Sequence, residues 1–242
     1  MTALYDTIGI NYDQLRSPDP RIARQINHAL GTASSVLNVG AGTGSYEPMD
    51  RHVTAVEPSI EMIRKRKPSA DSVIQASAEH LPFADQSFDA AMAILTIHHW
   101  SDKAAGLREI RRVTRGPIVL LTFDPAHRPW LTHYLPELAA LDARQMPKMS
   151  QYADWLTSVR IESVLVPHDC TDGFLYAYWR RPEAYLDARI RSGSSSFWSL
   201  QGLERGLARL SNDLETGQWD AKHGHLRDQH EYDAGYRLVI GN

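Results

Sequence analysis

Ser35-Val36-Leu37-Asn38-Val39-Gly40-Ala41-Gly42-Thr43-Gly44-Ser45, followed by Ala55-Val56-Glu57-Pro58, joins a buried strand, a glycine turn and a second strand that ends in a carboxylate. Val36, Leu37 and Val39 suit a central strand covered on both faces. The three glycines allow positive φ and let a ligand lie against bare backbone. Glu57 falls where the second strand ends, in position to accept hydrogen bonds from both hydroxyls of a ribose. The layout is that of a nucleoside site. A dinucleotide site asks for G-x-G-x-x-G; here the spacing is G-x-G-x-G, and Ser45 stands where the last glycine would be.

Around this stretch, short β-rich runs alternate with amphipathic segments. Strands are expected near 35–39, 52–57, 72–76, 88–95 and 117–123, an alternation that predicts right-handed βαβ crossovers and a parallel sheet. Asp19-Pro20 opens a helix through Leu30, and Ser101-Asp102 opens another through Thr114; each has a capping side chain ahead of the apolar spacing. After Phe123 the pattern changes. A helical piece is expected over Trp130 to Arg144, a shorter one over Gln151 to Leu156, and a strand from Arg160 to Val166. Leu203, Leu207, Leu210 and Leu214 mark a further helix, and Tyr236 to Ile240 the last strand.

The block Gln75 to Asp89, Q-A-S-A-E-H-L-P-F-A-D-Q-S-F-D, taken with the glycine turn and Glu57-Pro58, resembles the class I S-adenosylmethionine-dependent methyltransferases, in the small-molecule branch that includes the ubiquinone/menaquinone-biosynthesis type. The resemblance is dense from about Tyr5 to Thr122 and thins beyond. It implies a Rossmann-like α/β fold: seven mostly parallel, doubly wound strands with an antiparallel last strand. Residues 1–170 plus 231–242 would form the core, and 171–230 a helical insertion serving as a lid. It places Gly40, Gly42 and Gly44 under the methionine and ribose of S-adenosylmethionine, Glu57 on the ribose hydroxyls, and Pro58 and Met62 beside the adenine. Ser77 stands where the family commonly has the aspartate that takes the adenine amino group; Ala78, Glu79 and Leu95 complete the implied cofactor site. Asn38 likewise replaces the family's usual aspartate. These two departures leave open a member that keeps the cofactor without transferring a methyl group, or a sensing module.

At 242 residues the chain holds one core with additions. Its formal net charge of −3 supplies no general field for phosphates, so nucleic acid is not expected as a partner. The runs at Arg64-Lys65-Arg66-Lys67 and at Arg108, Arg111, Arg112 and Arg115 are expected to be solvated helix faces. The single cysteine, Cys170, excludes an internal disulfide, and the N-terminus lacks the pattern of a signal peptide. No run is long enough for a membrane span. A cytoplasmic protein with a small-molecule substrate is expected, with its oligomeric state open.

In an open parallel sheet, ligands bind beyond the carboxyl ends of the strands. Three segments deliver polar groups there: Thr96, His98, His99 and Trp100; Asp124 and His127; His168, Asp169 and Asp172. Methyl transfer needs a nucleophile held in line and, where that nucleophile is a hydroxyl or an ammonium, a base. His98 or His99 is the expected base. No H-x-x-x-H or H-E-x-x-H spacing supports a metal, and none is expected. In the leader, Tyr12 and Arg16 are expected to close over the cofactor, Arg16 pairing with its carboxylate. The aromatic run in the insertion, Phe174, Tyr176, Tyr178, Trp179, Phe197 and Trp198, is expected either as core or as a lid over the rim.

Overall fold

The computed structural model describes residues 15–67 and 72–242. Nine strands are present among them: β1 Ser35–Val39, β2 His52–Val56, β3 Ser72–Ile74, β4 Ala90–Ile94, β5 Ile118–Phe123, β6 Arg160–Ser163, β7 Val166–Pro167, β8 Glu231–Tyr232 and β9 Tyr236–Gly241. Seven form one sheet in the order β3-β2-β1-β4-β5-β9-β6. β1, β2, β3, β4 and β5 pair in parallel, whereas β9 runs antiparallel to both β5 and β6. The fold is the Rossmann-like one implied by the resemblance, with a single antiparallel strand in the sheet.

The apolar pattern explains the layering. Successive strand residues face opposite sides, so Val36 joins Ile22, Ile26, Met92 and Leu121 on one face while Leu37 joins Ala91, Leu107, Ile110 and Leu120 on the other. All six residues of β5 are buried, as a strand covered on both faces requires. Helix α1, Pro20–Ala29, starts where the Asp19 carboxylate accepts from Arg21 N at 2.9 Å, with Pro20 in the first turn. Short α2, Ile60–Arg64, is capped by Ser59, and α3, Lys103–Val113, by Asp102, which accepts from Ala105 N at 2.9 Å.

Two expected elements divide. The piece over Trp130 to Arg144 becomes a 3-10 turn, Trp130–His133, followed by α4, Pro136–Gln145, because proline fits the first turn of a helix and not its interior. The expected strand from Arg160 to Val166 stops at Ser163; Val166 and Pro167 leave the sheet and pair with β8 instead. The edges of β3 and β4 are also shorter than expected. Phe88 makes only an isolated bridge to Thr114, and Leu95 turns out of β4 at φ 51°.

The segment 171–230 carries α5, Glu204–Glu215, and α6, Gln218–His223. Its Trp179, Tyr185, Leu210, Trp219 and Leu226 belong to the same apolar cluster as Ile26, Val36 and Leu121. Trp130 Nε1 donates to Trp179 O at 2.8 Å, and Trp179 Nε1 donates to Val166 O at 3.0 Å. Truncating a fully buried tryptophan such as Trp179 or Trp219 to alanine costs about 3–5 kcal/mol, so this segment is fastened to the sheet.

Candidate active site

The strand order reverses between β1 and β4, and a cavity of 390 Å³ opens at their carboxyl ends. Gly40 takes φ +67° directly after β1, its N–H donating to Val56 O at 2.8 Å, and the Thr96 side chain occupies the space where a Cβ would be. Any side chain there would clash as well as strain the backbone. Gly42, at φ +52°, donates its N–H to Glu57 Oε2 at 2.8 Å, while Glu57 Oε1 accepts from Ser59 N at 2.9 Å. The Glu57 carboxylate is thereby fixed at the cavity wall, 6% exposed.

Pro58, Met62, Ser77 and Ala78 line the adjoining wall. Glu79 lines it too, accepting from Ser101 N at 2.8 Å, Ser101 Oγ at 2.9 Å and Asp102 N at 3.2 Å. Burial pushes the Glu79 pKa up, but these hydrogen bonds and one from the Ser77 hydroxyl outweigh it, and the net shift is downward. Ser77 therefore stands beside a neighbouring carboxylate. Behind this wall the Trp100 ring packs over Gly106 of α3 with no room for a Cβ between them.

Beneath the glycine turn lies a buried polar group. Asn38 is 1% exposed; its Nδ2 donates to Glu47 Oε1 at 2.9 Å, and its Oδ1 is buried at the cavity wall without a hydrogen-bond partner. Glu47 is held by Arg66 Nη2 at 2.7 Å, and Arg66 Nη1 reaches Gly42 O at 3.3 Å. The expectation that Arg66 lies on a solvated face is therefore corrected: an acid on the glycine turn draws it inward. Arg112 is likewise spent on structure, binding Glu109, Asp85 and the carbonyls of Leu81 and Phe83. Gly44, expected beneath the ligand, instead faces Glu47 and Arg66.

Arg16 lines the cavity, and its guanidinium grips Asp172, Nε to Oδ1 at 2.5 Å and Nη2 to Oδ2 at 3.4 Å. Tyr46 Oη donates to Asp172 Oδ2 at 2.9 Å. Arg16 is thus tied to the first residues of the 171–230 segment. Asp172, expected among rim groups available for chemistry, is consumed as the counter-ion of Arg16. Tyr5 and Tyr12 lie outside the described residues.

The histidine pair divides between two spaces. The rings sit 3.8 Å apart, centroid to centroid. His99 lines the first, open cavity, where desolvation by the cleft walls, with Lys103 nearby, lowers its pKa to about 4. His98 faces a second, smaller chamber of 50 Å³; burial lowers its pKa well below the ordinary value, and its Nδ1 is buried without a partner. Arg16 and Leu95 line both spaces. Leu95 holds its shared position at φ 51°, a left-handed conformation of the kind concentrated at functional sites.

Asp142 of α4 enters the second chamber beside Phe123, Phe174, Tyr176 and Tyr236. It accepts from Tyr176 Oη at 3.0 Å, and burial raises its pKa to about 6 against the effects of that bond and of Arg128. Other expected rim groups lie elsewhere. Asp169 pairs with Arg21 at 2.8 Å and His168 lies beside it, lining neither space; His127 packs against Gly235. The aromatic run also splits. Trp179 is core, Phe174 and Tyr176 are chamber wall, and Trp198 is 42% exposed.

Residues 37–117 match the methyltransferase domain family. A solved structure from Anabaena variabilis, described as a candidate methyltransferase from an antibiotic biosynthesis pathway, is 37% identical, with 95% of this chain and 99% of that one covered and a TM-score of 0.88. The chain belongs to the class I S-adenosylmethionine-dependent methyltransferases. A demethylmenaquinone methyltransferase of Renibacterium salmoninarum is 29% identical over 92% of this chain and 94% of its own. YafE of Escherichia coli, an uncharacterized protein, is 35% identical over half of this chain. The chain spans 63% of YafE and 53% of a rice 2-methyl-6-phytyl-1,4-hydroquinone methyltransferase, the latter at 25% identity.

S-adenosylmethionine is the cofactor of this family, and the residues present fit it. The glycine at 40 leaves a cradle that a Cβ would fill, Glu57 presents a fixed carboxylate, and the unpartnered Asn38 Oδ1 offers an acceptor at the same wall. Arg16, Gly40, Gly42, Glu57, Pro58 and Met62 are brought to this cavity as expected, together with Ser77, Ala78, Glu79 and Leu95. Sequence reasoning missed Asp142. Its signal is a carboxylate on the apolar stripe Leu138, Leu141, Asp142 of an amphipathic helix, where a charge is costly unless it serves something. Tyr46 and Glu47 carried no comparable signal.

Proposed function

We propose that the protein transfers a methyl group from S-adenosylmethionine to a small organic acceptor, at oxygen, nitrogen or carbon. The observation that carries this is the adjacency of the two spaces: a nucleoside-sized cavity at the switch point and an aromatic chamber beside it, with Arg16 and Leu95 as common wall. The cofactor supplies a methyl group on a cationic sulfur, which leaves without needing a proton. Glu57 would hold the ribose hydroxyls, the turn at Gly40 and Gly42 would carry the methionine side, and Pro58, Met62, Ser77, Ala78 and Glu79 would enclose the adenine. Asn38 would accept from the ammonium of the methionine portion.

The chain's work in the transfer is then to align the acceptor, exclude water and take up a proton where the acceptor has one to lose. His98 is the first choice as base because it faces the chamber and is neutral near pH 7; His99 is the second. The segment 171–230 serves as a cap, since it contributes Phe174, Leu175 and Tyr176 to the chamber wall, while 1–170 and 231–242 form the core. The relatives named as 2-methyl-6-phytyl-1,4-hydroquinone and demethylmenaquinone methyltransferases support a small organic acceptor over nucleic acid. The single cysteine fits a reducing, cytoplasmic setting.

Incubation of the protein with methyl-labelled S-adenosylmethionine and a fractionated small-metabolite extract tests this. Label is expected in a small-molecule fraction and not in added RNA or DNA. Intact cofactor binding with no label transferred from any fraction would favour a member that retains the cofactor without methylating.

A further inference from the structure

We propose that the second chamber receives a protonated amine, so that the acceptor is an amine-bearing small molecule whose ammonium is held by Asp142 among aromatic rings. The proposal rests on the methyltransferase function above for the word acceptor, but the binding it asserts can be measured without methyl transfer.

The charges decide the sign of the ligand. Asp142 is 4% exposed and accepts a hydrogen bond from the Tyr176 hydroxyl. Arg16, the cation at the chamber wall, faces Asp172 as a fork, so its charge is already balanced. Burial keeps His98 neutral, and Tyr176 and Tyr236 are held protonated by burial. Among the described titratable groups that line the chamber, Asp142 is the carboxylate that no ion pair meets, Arg128 acting on it only as a nearby charge. A buried carboxylate with so little solvation is expensive unless a donor or cation meets it.

The rings add a second reason. Phe123 lies 5.1 Å from Tyr176 and 5.5 Å from Tyr236, and Phe174 lies 4.5 Å from Tyr236, centroid to centroid. The carboxylate attracts a cation and repels an anion, and any ring that turns its face to the cation adds to that attraction. The orphan Nδ1 of His98 offers a further partner for an N–H, since a neutral imidazole nitrogen can accept. The space is 50 Å³, enough for a head group of a few heavy atoms. The remainder of the ligand must therefore run toward the wall shared with the cofactor cavity at Arg16 and Leu95. A carboxylate, phosphate or sulfate head group is excluded by the same field.

The test uses the full chain saturated with S-adenosylhomocysteine, which removes the cofactor cavity as a competing amine site. Binding of n-butylamine, butan-1-ol and butyrate is measured by NMR titration. Butylamine is expected to bind at least about tenfold more tightly than either counterpart, and Asp142→Asn to lose at least about tenfold for the amine alone, with S-adenosylhomocysteine affinity unchanged. Phe174→Leu, which leaves the charge in place, is expected to weaken the amine severalfold. Butan-1-ol or butyrate binding as tightly as butylamine would overturn the proposal, as would an unaltered amine affinity in Asp142→Asn. Should Asp142→Asn fail to fold, unaltered amine affinity in Phe174→Leu overturns it instead. Amine binding with no label passed from methyl-labelled S-adenosylmethionine to any amine-bearing metabolite would count against the transferase function and leave the chamber assignment standing.

Discussion

Asn38 Nδ2 donates to Glu47 Oε1 at 2.9 Å, and this contact explains a departure at the base of the glycine turn. Where the family usually has aspartate on the first strand, this chain has the amide, and the acid stands instead at Glu47, anchored by Arg66 at 2.7 Å. An aspartate at 38 would face Glu47 as a like charge in a buried place. Asn38→Asp is therefore expected to destabilise the fold by roughly 1–3 kcal/mol, and Glu47→Gln in the same chain to recover most of the loss. Thermal denaturation of the two single variants and the double variant measures this. Equal stability of Asn38→Asp and wild type would mean that Arg66 alone sets the charge balance.

Glu57 fixes two backbone N–H groups and faces the cavity. Glu57→Gln should weaken S-adenosylhomocysteine by about 1–3 kcal/mol, the usual range for a charge-assisted hydrogen bond, while circular dichroism stays that of wild type. Calorimetry decides it. Undiminished affinity would assign Glu57 to holding the turn and nothing more.

Restoring an aspartate at 77 looks favourable from the family pattern, yet Ser77 lies beside the Glu79 carboxylate and helps to hold its pKa down. Ser77→Asp sets two carboxylates side by side, so cofactor affinity is expected to fall by about 1 kcal/mol or more, and Ser77→Ala to lose less. Tighter binding by Ser77→Asp would show that the aspartate reaches the adenine and clears Glu79.

The histidines titrate below the ordinary range, His99 at about 4. Both are neutral from pH 6 to 8, so neither should produce an inflection of kcat in that window, contrary to what an unperturbed histidine would give. With an acceptor in hand, His98→Asn should lower kcat by roughly 10²-fold or more at constant cofactor affinity if His98 is the base, and His99→Asn by less. A kcat profile with an inflection near 6.5 that vanishes in His99→Asn would reverse that order.

Folding raises the Asp142 pKa from 3.8 to about 6. Between those values the folded chain holds a proton that the unfolded chain has released, so stability falls as pH rises through the window and the full penalty persists above it. Two pKa units correspond to about 3 kcal/mol, an upper figure for one group. Asp142→Asn is expected to stabilise the protein at pH 7 to 8 and to leave it unchanged near pH 4, with denaturant melts of both proteins across pH giving the difference. A variant less stable than wild type at pH 8 would show that the Tyr176 bond outweighs the burial cost.

The nucleoside-binding half of this molecule was legible in the chain because its determinants are local. A strand, a turn that only glycine can make at 40, and a carboxylate one strand later lie within some twenty residues, and parallel pairing of β1 with β2 brings them together without further information. Periodicity and capping likewise placed α1 and α3 within a residue or two. The second chamber was not legible, because it exists only where β5, α4, the 171–230 segment and β9 converge. Asp142 and Tyr176 are 34 residues apart, and their 3.0 Å contact depends on how α4 and that segment pack against the sheet. Which charges are spent was equally a tertiary matter. Arg66 and Asp172 resemble any exposed ionic residue in sequence, but long-range pairing with Glu47 and Arg16 buries them, and leaves Asp142 to give the chamber its sign.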